Sequence, residues 1–233
     1  MLTIKNLHKK FGKLKVLDGV SFDIPTSGTV AVLGPNGSGK TTIMKCVLGM
    51  VIPNDGDITL NDSSILKQWD YRREIGYLPQ IAQFPDNLSV QELINMIKDL
   101  RSVPANELEL IELFELHPFL SKKLSNLSGG TKQKVNIVLT FMFDCPLYIL
   151  DEPTAGLDPI SMIRLKELID KEKKKNKTII ITTHIMSLVE ELADEIFFLL
   201  DGKIHFRGPV DQLKKETKQE DLEHAIANIL TND

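Results

Sequence analysis

The sequence predicts an α/β protein built on a parallel sheet, with a small antiparallel β subdomain ahead of it and an α-helical subdomain inserted into it. Three observations carry that prediction. Leu147-Tyr148-Ile149-Leu150 and Thr178-Ile179-Ile180-Ile181-Thr182 are continuous apolar or β-branched runs, the pattern of strands buried on both faces. The first thirty or so residues alternate between short apolar runs and close turns, as antiparallel strands do. Between Ser89 and about Leu120 the periodicity becomes helical and strand signals vanish.

Taken in order, Leu2-Thr3-Ile4, Val16-Leu17 before Asp18-Gly19, and Val20-Ser21-Phe22-Asp23-Ile24 before Pro25 read as the antiparallel strands. The run Val30-Ala31-Val32-Leu33 is a buried strand. Ile43 to Met50 reads as a buried helix, Pro53-Asn54-Asp55-Gly56 as a turn and Asp57-Ile58-Thr59-Leu60 as a strand. Ile75-Gly76-Tyr77-Leu78 is a short strand ending at Pro79. In the helical insertion, Leu93, Ile94, Ile97 and Leu100, then Leu108, Ile111, Leu113 and Phe114, mark the apolar positions. Ile196 to Leu200, Asp201-Gly202 and Lys203-Ile204-His205-Phe206 read as a hairpin. The charged tail after Leu213 ends in a short amphipathic helix around Leu222 to Leu230, best read as a packing helix. These boundaries set a core at 1–80 and 145–213, a helical subdomain at 81–144 and a tail at 214–233.

Composition narrows the function. A chain of 233 residues can bury a substantial interior, and 42% hydrophobic with 26% charged residues is ordinary for a soluble protein. A net charge of -4 gives no reason to expect direct nucleic-acid binding. The longest apolar stretches, around Ile137 to Phe143 and Ile196 to Leu200, fall far short of the roughly 18 to 20 residues that span a bilayer. Met1-Leu2-Thr3-Ile4-Lys5 has no apolar signal region, which implies the cytoplasm. Cys46 and Cys145 stand at no metal-like or redox-like spacing and read as reduced core thiols. The lysine-dense stretch Asp170 to Lys177 reads as a solvated helix end favoured by the macrodipole.

The most informative segment is Gly34-Pro35-Asn36-Gly37-Ser38-Gly39-Lys40-Thr41-Thr42, set between an apolar strand and a helical pattern. Its glycines let successive backbone N–H groups curl around polyphosphate, and the helix aims its positive end at the same anion. In that arrangement Lys40 reaches the β/γ-phosphates and the Thr41 hydroxyl binds Mg²⁺. A second buried strand ends at Asp151-Glu152. Ligands of parallel sheets bind beyond the carboxyl ends of strands, so Asp151 is expected to meet the phosphate loop and complete the Mg²⁺ shell. Glu152 could then orient and deprotonate an attacking water. Between these elements, Asn126-Leu127-Ser128-Gly129-Gly130-Thr131-Lys132-Gln133-Lys134 is either a second anion site at a helix N-terminus or a serine-capped helix with a glycine entry.

In identity and order these motifs resemble the ATP-binding subunit of an ABC transporter, from near Leu2 to about Gly208. Gly34 to Thr42 resembles the Walker A loop, Gln80 the Q-loop, and Leu127 to Gly130 the family signature. Leu147 to Asp151 resembles Walker B, Ala155-Gly156-Leu157-Asp158 the D-loop, and His184 the switch histidine. The resemblance implies a P-loop NTPase (RecA-like) core with Glu152 as catalytic base. It implies that Gln80 contacts Mg²⁺ and senses a transmembrane partner, that His184 holds the γ-phosphate and the attacking water, and that Phe11 stacks on adenine. Phe11 stands in place of the commoner tyrosine, and Thr131 where many members carry glutamine.

The resemblance further implies two cassettes stacked head to tail around two Mg-ATP, as an ATP-dependent homodimer or with a related ATPase subunit. Ser128, Gly129 and Gly130 would then bind the partner's γ-phosphate, with Asp158 at the seam. A separate transmembrane permease would hold the chain on the inner face of the cell membrane. Single-cassette architecture, the form Ser-Gly-Gly-Thr-Lys-Gln-Lys and the closing Glu220-Asp221-Leu222-Glu223 are similar to ABC-2-type exporter ATPases, which favours export. The rival is a soluble ABC ATPase acting on nucleic acid or ribosomes. Such proteins usually carry coiled-coil insertions or two cassettes, and the sequence shows neither.

Overall fold

The computed structural model describes residues 2–232; Met1 and Asp233, the outermost residues of the predicted N-terminal segment and tail, lie outside them. The chain runs β1 (Leu2–Phe11), β2 (Leu14–Ile24), β3 (Gly28–Leu33), α1 (Lys40–Val47), β4 (Asp55–Leu60), β5 (Ser63–Ser64) and β6 (Ile75–Leu78). It continues through α2 (Val90–Arg101), α3 (Glu107–Leu113), α4 (Gly129–Phe141), β7 (Leu147–Asp151), α5 (Pro159–Lys174) and β8 (Thr178–Thr182). It closes with α6 (Met186–Leu192), β9 (Glu195–Leu200), β10 (Lys203–Gly208), α7 (Val210–Thr217) and α8 (Leu222–Asn232). These elements form two compact units, residues 1–72 with 178–233, and residues 73–177.

The first unit holds an antiparallel sheet in the order β2-β1-β4-β5. It also holds β3 between parallel neighbours β8 and β9, with β10 antiparallel to β9. Alternation along these strands divides the core in two. Ala31, Leu33, Ile196 and Phe198 face a cluster completed by Val189 of α6, Phe206 of β10, Leu213 of α7 and Leu222, Ala225 and Ile226 of α8. Phe197 points the other way and meets Phe22 of β2 edge to face at 4.9 Å. The closing helix therefore belongs to the core, because its apolar stripe completes a surface that the sheet leaves apolar.

Two strand expectations in this unit are corrected. The first strand runs to Phe11, well past Ile4, because its register shifts between Ile4 and Leu7, where Asn6 adopts φ +48°. That bulge breaks the period of two, so a sequence pattern cannot follow the strand through Lys5-Asn6. The second is a single strand through Asp18-Gly19, where a turn was expected. Gly19 at φ +72° absorbs an irregularity, and the Asp18 amide donates to Gly202 O at 3.0 Å.

In the second unit β6 and β7 pair in parallel, Ile75 opposite Leu147 and Leu78 opposite Leu150. The helical stretch resolves into α2 and α3. A capping box starts α2: the Glu92 amide donates to Ser89 Oγ at 3.2 Å, and the Ser89 amide donates to Glu92 Oε2 at 2.8 Å. Helix α4 buries Val135, Ile137, Val138 and Phe141, and the Phe141 ring stacks on Tyr148 of β7 at 4.7 Å. Both cysteines are buried free thiols, and burial pushes Cys46 up to about 11 and raises Cys145.

Candidate functional site

The candidate residues fall in two sets, one in each unit. In the first unit the phosphate loop leaves β3 and becomes α1 at once, with the first helical bond running from the Ile43 amide to Gly39 O at 2.9 Å. The helix was expected from Ile43; it begins at Lys40, because Gly39 at φ +109° turns the chain directly into it. Gly34, at φ +146°, passes so close to Leu199 that a Cβ there would lie 2.1 Å from its carbonyl oxygen. Lys40 Nζ folds back along the loop and donates to Gly34 O at 2.7 Å and Pro35 O at 3.0 Å.

Ser38 is 4% exposed, and among the described residues its Oγ finds no hydrogen-bond partner. An orphaned buried hydroxyl ordinarily costs about 1–3 kcal/mol, so its retention inside a glycine loop at a helix N-terminus fits an anion that supplies the missing partner. Thr41 is exposed on the first turn of α1, with Thr42 partly covered beside it. Val32 pairs with Thr182, so the phosphate loop and His184 leave neighbouring parallel strands at their carboxyl ends. His184 is exposed there. Phe11 lies at the end of β1, 49% exposed, with the Lys9 ammonium 4.9 Å from its ring centre.

In the second unit the register of Leu78 against Leu150 makes Pro79-Gln80 and Asp151-Glu152 leave side by side. Gln80 is exposed, Asp151 is 5% exposed and Glu152 is partly buried. Burial, reinforced by the charge of Asp151, raises the Tyr77 phenol. Ser128 caps α4, accepting from the Thr131 amide at 3.3 Å, and the Thr131 hydroxyl lies 2.9 Å from Ser128 Oγ. The threonine that replaces the commoner glutamine is thus a partner of the cap. Gly129 is open, since a Cβ there would meet nothing within 4 Å.

Asp158 caps α5, accepting from the Ser161 amide at 2.9 Å and the Ser161 hydroxyl at 2.8 Å, and pairs with Lys134 at 2.8 Å. The Lys134 ammonium, with the Ser161 bonds, holds its carboxyl far below the usual carboxylate range. Sequence reasoning missed Gln133, Asn136 and Thr140, polar residues on the buried face of α4. Their spacing, three and then four residues apart along one helix face, was the available signal.

A glycine loop between a buried parallel strand and a helix, on a sheet of this topology, defines a P-loop NTPase. The family description "ABC transporter" matches residues 17–155. The lantibiotic transport ATP-binding protein SrtF of Streptococcus pyogenes is 37% identical over 207 residues, which are 88% of this chain and 89% of that protein. The L-cystine import ATP-binding protein TcyC of Bacillus subtilis (strain 168) is 30% identical over 244 residues, 99% of each chain. The solved structure of an ATP-binding subunit of an ABC transporter matches with a TM-score of 0.91 at 29% identity, covering 99% of both chains. The chain belongs to the ABC transporter family, among its ATP-binding subunits. A dimeric cassette in a post-hydrolysis state with ADP and Pi shares the fold at a TM-score of 0.81 and 24% identity, over 90% of this chain and 98% of that one.

Proposed function

We propose that this chain binds Mg-ATP, hydrolyses it, and acts as one of a pair of cassettes that drive a separate transmembrane subunit, in the direction of export. The observation that carries the reading is the phosphate loop, with its orphaned Ser38 hydroxyl and the left-handed glycines Gly34 and Gly39 opening onto the N-terminus of α1. Residues Gly34 to Thr42 cradle the phosphates, Lys40 neutralises the β/γ oxygens, and Phe11 stacks on the base. Glu152 takes a proton from the attacking water, and His184 hydrogen-bonds that water and the γ-phosphate.

Thr41, Gln80 and Asp151 are the residues that would hold Mg²⁺. Their donors are all oxygen, as a hard cation requires. When bound, Mg²⁺ neutralises charge on the phosphate oxygens.

In this reading Ser128, Gly129 and Gly130 contact the γ-phosphate held by the other cassette, a second copy or a related ATPase subunit, and Asp158 lies at the seam. The nucleotide core is then 1–80 with 145–213, and 81–144 is the signature subdomain. No helix of the described residues is long and apolar enough to cross a membrane, so a membrane-spanning partner would hold the chain at the inner face. The transport role is supported by the identity to the lantibiotic transport protein, 37%, and to the cystine import protein, 30%; export rests on the likeness of Ser-Gly-Gly-Thr-Lys-Gln-Lys to ABC-2-type exporter ATPases.

The test is Glu152→Gln in the purified full chain. ATP binding persists while turnover falls by on the order of a hundredfold or more, the contribution of a positioned general base. Hydrolysis at the wild-type rate in that variant would remove Glu152 from its role.

A further inference from the structure

Glu152 occupies a backbone conformation that two local rules disfavour. Its φ is +48°, in the left-handed region where a Cβ crowds the following carbonyl. It also precedes Pro153, whose ring pushes the preceding residue toward extended backbone. A non-glycine residue stays in such a position only where its surroundings over-determine it. The turn that follows supplies one local bond, from the Ala155 amide to Glu152 O at 3.2 Å.

A tertiary contact comes from α4. Gln133, 6% exposed, donates from Nε2 to Pro153 O at 3.0 Å. Asn136, 4% exposed and one turn further on, donates from Nδ2 to Pro79 O at 3.1 Å and to Gln133 Oε1 at 3.4 Å. Thr140 continues the row, its hydroxyl donating to Tyr77 O at 3.1 Å. Buried amides are costly unless they are bonded. Here both are bonded to the carbonyls of prolines, which carry no N–H, and those prolines adjoin the two functional residues: Pro153 follows Glu152 and Pro79 precedes Gln80.

The first two turns of α4 are confined by further contacts. Gly130 lies so near Gly156 that a Cβ on it would stand 2.6 Å from Gly156 O, and Lys134 Nζ is 2.8 Å from Asp158 Oδ2. One rigid helix thus joins Ser128–Gly130 to the backbone beside both Gln80 and Glu152.

We infer that Gln133 and Asn136 are positioning residues: their linked amides clamp the chain beside Glu152 and Gln80, so that the aim of the Glu152 carboxylate depends on how α4 is seated. The inference rests on the reading of Glu152 as the base that activates water. It assigns no contact with nucleotide to either amide.

The test is Gln133→Met, which keeps the length of the side chain and removes the donor, compared with wild type as purified full chains in saturating Mg-ATP. Turnover falls by roughly ten- to a hundredfold, the scale of a small misplacement of a catalytic group, while KM for ATP is little changed. Adding Gln133→Met to Glu152→Gln leaves the residual turnover and the ATP binding of that variant unchanged, because the carboxylate it would misplace is already gone. Equal losses in both backgrounds, or a raised KM at unchanged kcat, would mark Gln133 as merely structural and overturn the inference. Should Gln133→Met fail to fold, Gln133→Asn withdraws the amide by one methylene and is read by the same comparison. A wild-type chain without ATP hydrolysis would overturn the proposed function and this inference together; wild-type turnover in an active, folded Gln133→Met would overturn the inference and leave that function standing.

Discussion

At Glu152 the backbone and the side chain can be examined separately. Glu152→Ala and Glu152→Gly both remove the carboxylate and differ by one Cβ, the atom that the left-handed φ of +48° disfavours. Glu152→Gly is therefore expected to be the more stable of the two by about 1 kcal/mol in urea unfolding, although both lose turnover. Equal stability would mean that the position is unstrained. Ser38 shows a related economy. Its buried hydroxyl has no partner among the described residues, and the phosphate binding proposed for this loop would supply one. Neither feature is visible in a residue name. Gly34 to Thr42 and Asp151-Glu152 were legible as motifs, but the φ of Glu152 and the missing partner of Ser38 Oγ were not, because neither is a property of residue identity.

Among the elements, those that were legible obey a local rule. The β9–β10 hairpin follows from Asp201-Gly202, which adopt φ +46° and +72° in the turn. Helix α2 follows from Ser89 and Glu92, whose reciprocal bonds satisfy amides that the helix start leaves open. Ser89→Ala is expected to cost about 1 kcal/mol, measured as a shifted urea midpoint, and a neutral result would show that packing fixes the start of α2. Elements that were legible only in part break such rules. Strand β1 carries Lys5, Asn6, His8, Lys9 and Lys10, and it is a strand because β2 and β4 pair with it on both sides. Helix α4 reads as an apolar helix with a serine cap, yet its buried face also carries amides matched to two proline carbonyls.

For the whole molecule the consequence to be tested is assembly. If Ser128–Gly130 serve the γ-phosphate of a second cassette, the Glu152→Gln chain with ATP should sediment as a dimer. Adding Ser128→Arg should return it to the monomer, by placing a long cation where phosphate must approach the start of α4. A monomer in both cases, under conditions where ATP binds, would count against the paired reading. An unaltered dimer in the doubly substituted chain would remove the signature end from the interface. The C-terminal helix is unlike a regulatory appendage in one respect: Leu222, Ala225 and Ile226 are part of the core cluster that covers β3 and β9.

The sequence by itself determined the class of fold, the order of the motifs and the chemistry on offer, because each depends on residues close together in the chain. A glycine loop between a strand and a helix, a buried run ending in two carboxylates, and a capped helix are local patterns. Tertiary structure decided which buried groups stay unpartnered, which strands tolerate polar residues, and how the backbone at Glu152 is held. Those outcomes depend on partners separated by tens of residues, such as Gln133 with Pro153 and Asn136 with Pro79, where a carbonyl and an amide must meet at hydrogen-bond distance.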